Sequence, residues 1–209
     1  MEQIAVLVSG GGTNLQALID RQGDNLYGEI ALVVSSKADA FALERAKRHG
    51  IATAVVERKA FSSAQAFDSA LLAVLKQHHI SLVVLAGFMC ILGKDVIDAY
   101  TDRIVNVHPS LIPSFCGDGF YGLRVHKAAL DYGVKVTGAT VHLVNEITDG
   151  GRILLQKAVE ISGDDTPETL QRRVMEQAEW DILPRGVAML CRQLSVQTGQ
   201  EQNGKGETV

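Results

Sequence analysis

The sequence is poor in the residues that mark several classes of protein. Its 209 residues include three cysteines, four prolines and one tryptophan, and 24 acidic side chains nearly balance 20 basic ones at a net charge of −4. The cysteines, at positions 90, 116 and 191, form neither a CxxC pair nor an even set, so a disulfide framework is excluded and a reduced compartment is favoured. The mild negative charge argues against a surface for nucleic acid or anionic membrane.

Long hydrophobic runs are also absent. Apolar runs such as Ile30–Val34 and Leu82–Leu85 fall far short of the roughly 18 apolar residues that a membrane span needs. The first residues, Met-Glu-Gln-Ile, lack the basic stretch that opens a secretion signal. We therefore expect a cytoplasmic enzyme of small molecules, a monomer or a homodimer, with no nucleic-acid or membrane partner.

The first half of the chain alternates strand and helix signals. Short runs of Val, Ile and Leu bounded by turn residues are typical of strands that helices cover on both faces. Helical segments stand between them, one with Asp39 as its predicted N-cap and one over Ala66–His78. This alternation predicts an α/β fold, a Rossmann-like and mostly parallel sheet with helices on both faces. The predicted strands are Ile4–Val8, Ile30–Val34, Thr53–Val56, Leu82–Leu85 and Ile104–Val107.

After Pro109 the pattern changes. A loop rich in Pro, Gly and aromatic residues precedes a short helix, and two longer strands near 135–144 and 152–159 then flank a turn, which predicts antiparallel strands in the C-terminal part. Asp165 or Thr166 caps a long helix with Pro167 in its first turn. We expect one catalytic domain over residues 1–196 and a polar, disordered tail over 197–209.

A glycine-rich turn follows the first predicted strand. Residues 9–14 read Ser-Gly-Gly-Gly-Thr-Asn, and consecutive glycines before a helix let backbone N–H groups approach an anion closely. Thr13 or Asn14 is the predicted cap of that helix and a side-chain contact for a phosphate. The dinucleotide fingerprint is missing, because Leu15 stands where its third glycine belongs and no acid ends the second strand. A monophosphate on a small substrate fits best, and a tight turn without a ligand is the alternative.

Two polar residues interrupt the fifth predicted strand. Asn106 and His108 alternate with Val105 and Val107, so they share one face at the C-terminal end of a parallel strand, where open α/β sheets bind ligands. An amide beside an imidazole suits a reaction in which negative charge develops on a carbonyl oxygen. The alternative is a structural pair whose side chains form hydrogen bonds with the backbone of neighbouring loops.

Asp149 stands in the sequence Thr-Asp-Gly-Gly between the last two predicted strands. Asp-Gly is an ordinary turn signal, so this residue alone does not indicate a site. The histidines at 108, 126 and 142 lack the short spacing that is typical of structural zinc ligands. No metal is therefore predicted.

Together these motifs resemble the folate-dependent phosphoribosylglycinamide formyltransferase family. The resemblance covers about residues 3–192, with the motifs in the family's order and spacing, and implies the formyltransferase fold. The segments that carry it are SGGGTN at 9–14, AGFMCIL at 86–92, NVHPSLIPSF at 106–115 and GATVHLVNEITDGGRILLQ at 138–156.

The resemblance also implies a reaction and a set of roles. The formyl group of the cosubstrate 10-formyltetrahydrofolate would pass to the glycine amine of 5-phosphoribosylglycinamide, a step of purine biosynthesis, through a tetrahedral intermediate. Ile112–Pro113 matches a cis peptide of the family. The positions that match functional residues are Gly12, Thr13 and Asn14 for the ribose phosphate, Met89, Cys90, Ile91, Leu92 and Asn106 for the folate, Asn106, His108 and Asp149 for catalysis, and Glu179 for the glycine portion.

Two positions and one loop depart from the family's pattern. Cys90 replaces an arginine of the pterin segment, and Ala64 stands where a folate-binding arginine is often found. Arg58 and Lys59 are the nearby cations that could contact the glutamate tail instead. The loop over residues 116–122 is about five residues longer than in the shorter family members, and its aromatic residues are candidates for a lid.

Three other functions remain open from the sequence. A hydrolase that releases formate from the same cosubstrate would need no phosphate loop, so residues 9–14 argue against it. A catalytically silent module that binds folate or phosphate is supported by Cys90 and Ala64 and opposed by Asn106, His108 and Asp149. A nicotinamide-dependent reductase is disfavoured by Leu15 and Ser35.

Overall fold

The computed structural model describes residues 1–23 and 25–204, and its centre is a seven-stranded sheet in the order β3-β2-β1-β4-β5-β6-β7. The first five strands pair in parallel, and β6 and β7 pair antiparallel. This confirms the predicted α/β fold with its antiparallel C-terminal part. The strands are β1 (Glu2–Val8), β2 (Gly28–Ser35), β3 (Ala52–Val55), β4 (Leu82–Leu85), β5 (Ile104–His108), β6 (Val136–Leu143) and β7 (Ile153–Glu160).

Helices join the strands and cover both faces of the sheet. A short 3₁₀ helix lies at Arg58–Ala60, and a π-helical turn at Met175–Glu179 separates the last two α-helices. The α-helices are α1 (Thr13–Ile19), α2 (Phe41–Arg48), α3 (Ala64–Gln77), α4 (Lys94–Ala99), α5 (Leu123–Tyr132), α6 (Pro167–Val174) and α7 (Trp180–Gly204). The predicted 197–209 tail thus begins inside α7, and residues 205–209 lie outside the described residues.

The sheet has a hydrophobic core on each side because strand side chains alternate between faces. In β1, Ile4, Val6 and Val8 pack in one cluster with apolar residues of α1, α2, α6 and α7. Ala5 and Leu7 pack in the other, with residues of α3 and α4. Both sets are fully buried, as expected for central strands of a doubly covered sheet. No helix within residues 1–23 and 25–204 is long and apolar enough to span a bilayer.

The ends of the helices agree with only some of the predicted caps. Thr166 caps α6, with Pro167 at its first position. The Asp39 cap was wrong: the N-cap of α2 is Ala40, and the Ala42 N–H, which a capping side chain would bind, donates to the Gly10 carbonyl at 3.0 Å. The β1–α1 turn therefore supplies the hydrogen-bond acceptor at the start of α2.

Neither Thr13 nor Asn14 caps α1, because Gly12 occupies the N-cap position. Gly12 has a φ of 74°, in the left-handed region that favours glycine. A Cβ on Gly12 would lie 2.7 Å from the Cβ of Ala42, so the close approach of α2 also requires glycine. The cis peptide bond expected at Ile112–Pro113 is present.

Candidate active site

A cavity of about 820 Å³ lies at the C-terminal ends of β1, β4 and β5, where open α/β sheets bind ligands. Five segments and five single side chains form its walls, and they include most of the residues singled out in the sequence. The lining residues are Gly10–Asn14, Leu85–Leu92, Asn106–Pro109, Gly117–Gly122, Val144–Asp149, and the side chains of Ile97, His142, Gln171, Met175 and Glu179.

The glycine-rich turn is held against α2 by its carbonyl groups. The Gly10 carbonyl accepts the Ala42 N–H, and the Gly11 carbonyl accepts Nε of Arg45 at 2.8 Å. Arg45 also donates to the side chain of Gln16 in α1, 3.1 Å away. These contacts fix the turn on its outer side, while residues 10–14 line the cavity on the inner side.

Asn14 and Glu179 form a buried pair at one end of the cavity. Nδ2 of Asn14 donates to Oε2 of Glu179 at 2.7 Å, across 165 residues of sequence. Oδ1 of Asn14 is buried and has no hydrogen-bond partner within the described part of the chain. Burial raises the pKa of Glu179 to about 7, although the Asn14 hydrogen bond acts in the opposite direction. The pair therefore offers acceptor oxygens to a donor group in the cavity.

The segment Met89–Leu92 forms the wall after β4. Ile91 is 81% exposed and Leu92 is 6% exposed. Ile91 therefore presents an apolar surface, while Leu92 anchors the segment in the core. Cys90 is partly buried and packs against the α3–α4 core cluster. Arg58, Lys59 and Ala64 do not line the cavity, and Lys59 pairs with Glu57 at 3.5 Å.

A serine pair that the sequence did not single out links this segment to the glycine-rich turn. The Met89 N–H donates to Oγ of Ser9 at 2.8 Å. Oγ of Ser9 also lies 2.6 Å from Oγ of Ser36 at the end of β2, and both serines are buried. Ser9 thus joins the walls of the cavity that follow β1 and β4.

Asn106, His108, His142 and Asp149 meet at the centre of the cavity. The β5–β6 register pairs Asn106 with His142, and Nδ2 of Asn106 lies 3.1 Å from Nε2 of His142. Nδ1 of His142 donates to the Leu143 carbonyl at 2.8 Å, so Nε2 accepts from Asn106. Burial lowers the pKa of His142, which agrees with a neutral ring, and its 3.7 Å approach to Asp149 is therefore not an ion pair.

His108 is enclosed by oxygen acceptors. Its Nε2 lies 2.9 Å from the Phe115 carbonyl, which can only accept, so Nε2 carries a proton. Its Nδ1 lies 3.4 Å from Oδ2 of Asp149. The structure therefore brings together the three residues Asn106, His108 and Asp149, and both ring nitrogens of His108 face groups that accept hydrogen bonds.

Similarity to known proteins agrees with this arrangement. The family model described as formyl transferase matches residues 2–187. The phosphoribosylglycinamide formyltransferase of Haemophilus influenzae is 43% identical over 186 residues, which cover 88% of this chain and 84% of that protein. The chain belongs to the formyl transferase family.

Solved structures of the family show the same fold. Glycinamide ribonucleotide transformylase 1 from Symbiobacterium toebii superimposes with a TM-score of 0.87 at 41% identity, covering 92% of this chain and 89% of that one. The trifunctional purine biosynthetic protein adenosine-3 of Gallus gallus is 43% identical over 199 residues. The chain spans only 19% of that longer relative.

The remaining titratable side chains around the cavity of this formyl transferase family member are not arranged as metal ligands. The described residues contain no group of three or more His, Cys, Asp or Glu side chains that could hold a metal ion. His126 is buried in α5, where burial, together with the charge of His108, lowers its pKa to about 4. Burial and the nearby Asp149 raise the pKa of the Cys116 thiol.

Proposed function

We propose that the protein is a cytoplasmic phosphoribosylglycinamide formyltransferase of de novo purine biosynthesis. It transfers the formyl group of 10-formyltetrahydrofolate to the glycine amine of 5-phosphoribosylglycinamide. The observation that carries the proposal is the cluster of Asn106, His108 and Asp149 in one cavity with the glycine-rich turn. Three free cysteines suit a reduced compartment.

The phosphate of the amine substrate binds at the glycine-rich turn. Gly12, Thr13 and the backbone of Asn14 line the cavity at the start of α1, where backbone N–H groups have no partner within the helix. The Asn14 side chain has a different role, because its Nδ2 is engaged by Glu179 and its free Oδ1 would repel a phosphate. Asn14 and Glu179 therefore accept donor groups of the glycinamide portion.

The folate binds against the segment that follows β4. Met89 and Ile91 present apolar side chains, Leu92 anchors the segment in the core, and Cys90 packs beside it. A pterin ring has both an apolar face and polar edges, so it suits a wall of apolar side chains with exposed backbone groups. Asn106, at the end of β5, lines the same cavity as this wall and the glycine-rich turn.

Formyl transfer proceeds by attack of the amine on the formyl carbon, which gives a tetrahedral intermediate with a negative oxygen. Asn106 and His108 donate hydrogen bonds to that oxygen. An amide nitrogen carries two hydrogens, and His142 accepts one of them, so the other remains for the substrate. For His108, the substrate oxygen takes the place of the Phe115 carbonyl at Nε2. Each such donor typically contributes about 10²–10³ in rate.

Asp149 supports the charge on His108 and moves a proton. Its carboxylate lies 3.4 Å from Nδ1 of His108, a position that stabilises a doubly protonated ring. A carboxylate at this place can also relay a proton through water from the attacking amine to the N10 leaving group, an effect of about 10²–10⁴ in rate. Binding both substrates in the same cavity supplies orientation.

Mass spectrometry of the product tests the proposal. Incubation of the purified protein with 10-formyltetrahydrofolate and 5-phosphoribosylglycinamide should give N-formylated glycinamide ribonucleotide and tetrahydrofolate. A denatured sample and the His108→Ala variant are the controls. Failure to form the formylated product under conditions in which both substrates bind would instead support the silent binding module.

A further inference from the structure

The loop over residues 115–122, which is longer than in the shorter family members, touches the catalytic pair directly. The Phe115 carbonyl accepts Nε2 of His108 at 2.9 Å, and the Gly117 N–H donates to Oδ2 of Asp149 at 2.9 Å. Two backbone groups of this 115–122 loop therefore orient one atom of each catalytic side chain. During the reaction the substrate oxygen replaces the Phe115 carbonyl at Nε2, so the Gly117 contact is the one that still orients a catalytic side chain, that of Asp149.

One side-chain contact ties the 115–122 loop to the turn that carries Asp149. Oδ1 of Asp118 accepts the hydroxyl of Thr148 at 3.2 Å, one residue before Asp149. Apart from the bonds to His108 and Asp149 given above, two further contacts of the loop run elsewhere: the Cys116 thiol donates to the Pro113 carbonyl, and the Phe115 ring packs against Tyr132 of α5 at 6.0 Å. These contacts attach the loop to itself and to α5, not to the 145–149 turn.

Elsewhere the turn is tied to α4 by the exposed ion pair of Glu146 with Lys94 at 2.8 Å, three residues before Asp149. Asp149 has a φ of 55°, in the left-handed region, and Thr148 is exposed. The backbone of the turn closes on itself, since the Gly150 N–H donates to the Ile147 carbonyl at 2.9 Å. Because a shift of about 1 Å in a reacting group can cost about 100-fold in rate, the tie between loop and turn matters for catalysis.

We infer that Asp118 is a positioning residue for the reaction: by accepting the Thr148 hydroxyl, it holds the 115–122 loop against the turn so that the Gly117 N–H orients Asp149 beside His108. Asp118 itself touches neither catalytic side chain. The inference rests on the proposed function, since its readout is the rate of formyl transfer.

Paired variants of Asp118 and Thr148 test this role. Asp118→Ala and Thr148→Val remove the acceptor and the donor, and each should lower kcat about fivefold to tenfold, the factor that corresponds to one intramolecular hydrogen bond. The KM of each substrate should change less than about twofold, because neither side chain belongs to the glycine-rich turn or to the Met89–Leu92 segment proposed to bind the substrates. The double variant should be no worse than either single variant, since both changes break the same contact.

Conservative variants separate the hydrogen bond from charge and from folding. Asp118→Asn and Thr148→Ser keep an acceptor and a donor, so each should retain a wild-type kcat. Asp131→Ala removes one exposed acid of α5 that pairs with Lys127, and serves as the control for net charge. Thermal unfolding of each variant reports whether the fold is intact.

Each outcome of these measurements supports or contradicts the role of Asp118. Equal kcat in Asp118→Ala and wild type, additive losses in the double variant, or an equal loss in Asp118→Asn would overturn the inference. A loss confined to KM would also overturn it, since it would make Asp118 a substrate contact. An inactive wild-type protein would instead contradict the proposed function, so the two failures are distinguishable.

Discussion

The side-chain amide of Asn106 donates to Nε2 of His142 across the antiparallel pairing of β5 and β6, at 3.1 Å. His142 can accept this bond because its Nδ1 hydrogen is already given to the Leu143 carbonyl. The neutral histidine therefore fixes which way the Asn106 amide points. One amide hydrogen is used in this contact, and the second is left for a ligand in the cavity.

Loss of His142 should impair catalysis through Asn106. In a His142→Ala variant the amide is free to rotate, and we expect kcat to fall about tenfold while the KM of both substrates stays within about twofold. Steady-state kinetics with each substrate varied in turn checks this split. An unchanged kcat would show that Asn106 does not depend on His142 for its orientation.

His108 and Asp149 should be essential for turnover but not for folding. His108→Ala removes a donor to the oxyanion, and Asp149→Ala removes both the charge beside His108 and a proton relay, so each should cut kcat by about 10²–10⁴. Asp149→Asn is the matched variant, because its amide oxygen still accepts the Gly117 N–H while the charge is gone. Circular dichroism should show an intact fold in all three. Near-normal turnover in either alanine variant would refute the assignment of these residues.

Ser9 should couple the two binding walls. Its hydroxyl joins the Met89 N–H to the turn after β1, so Ser9→Ala should raise the KM of both substrates with a smaller change in kcat. Ser81→Ala is the control, because Ser81 binds the Gln3 backbone at the opposite end of β1, 3.0 Å away. That variant should alter stability alone. An effect of Ser9→Ala on one substrate only would contradict the coupling.

Glu179 should make stability depend on pH. Its pKa rises from 4.5 to about 7 on burial, so between these values the unfolded chain has released a proton that the folded protein keeps. The free energy of unfolding therefore falls as pH rises through this range and levels off above it. Glu179→Gln removes the effect and should be more stable than wild type at about pH 8 by a few kcal/mol, since one pKa unit corresponds to about 1.4 kcal/mol.

Urea unfolding of both proteins at several pH values checks this prediction. The difference in unfolding free energy between Glu179→Gln and wild type should shrink toward zero as the pH falls to about 4.5. The same variant should bind 5-phosphoribosylglycinamide less tightly, because it loses the negative acceptor. A difference that is constant with pH would show that Glu179 is ionised throughout in the folded protein.

Local patterns predicted the fold and the strand that carries the site. Val105 and Val107 alternate with Asn106 and His108, and this alternation already places the two polar residues on one face of β5. The partner on β6 could not be predicted in the same way, because the contact of Asn106 with His142 depends on a pairing register across 36 residues. Antiparallel register is set by tertiary packing and loop length rather than by either strand alone.

The remaining site contacts come from the loops and from packing. Asp149 is also an ordinary turn residue, and its place beside His108 involves contacts with distant segments, among them the Gly117 N–H. The prediction of Asp39 as a cap was wrong for a similar reason, since a backbone carbonyl of the glycine-rich turn accepts the N–H at the start of α2 instead. The burial of Glu179 in a π-helical turn leaves no local signal, because a carboxylate in a helical segment is normally exposed.

The most direct test of the account is to measure tetrahydrofolate release from 10-formyltetrahydrofolate by the wild-type protein, with and without 5-phosphoribosylglycinamide, and to quantify free formate in the same samples. For a formyltransferase, we expect that release requires the amine, that each tetrahydrofolate is matched by one formylated product, and that no formate accumulates. Formate release at the same rate in the absence of the amine would contradict it and identify a hydrolase.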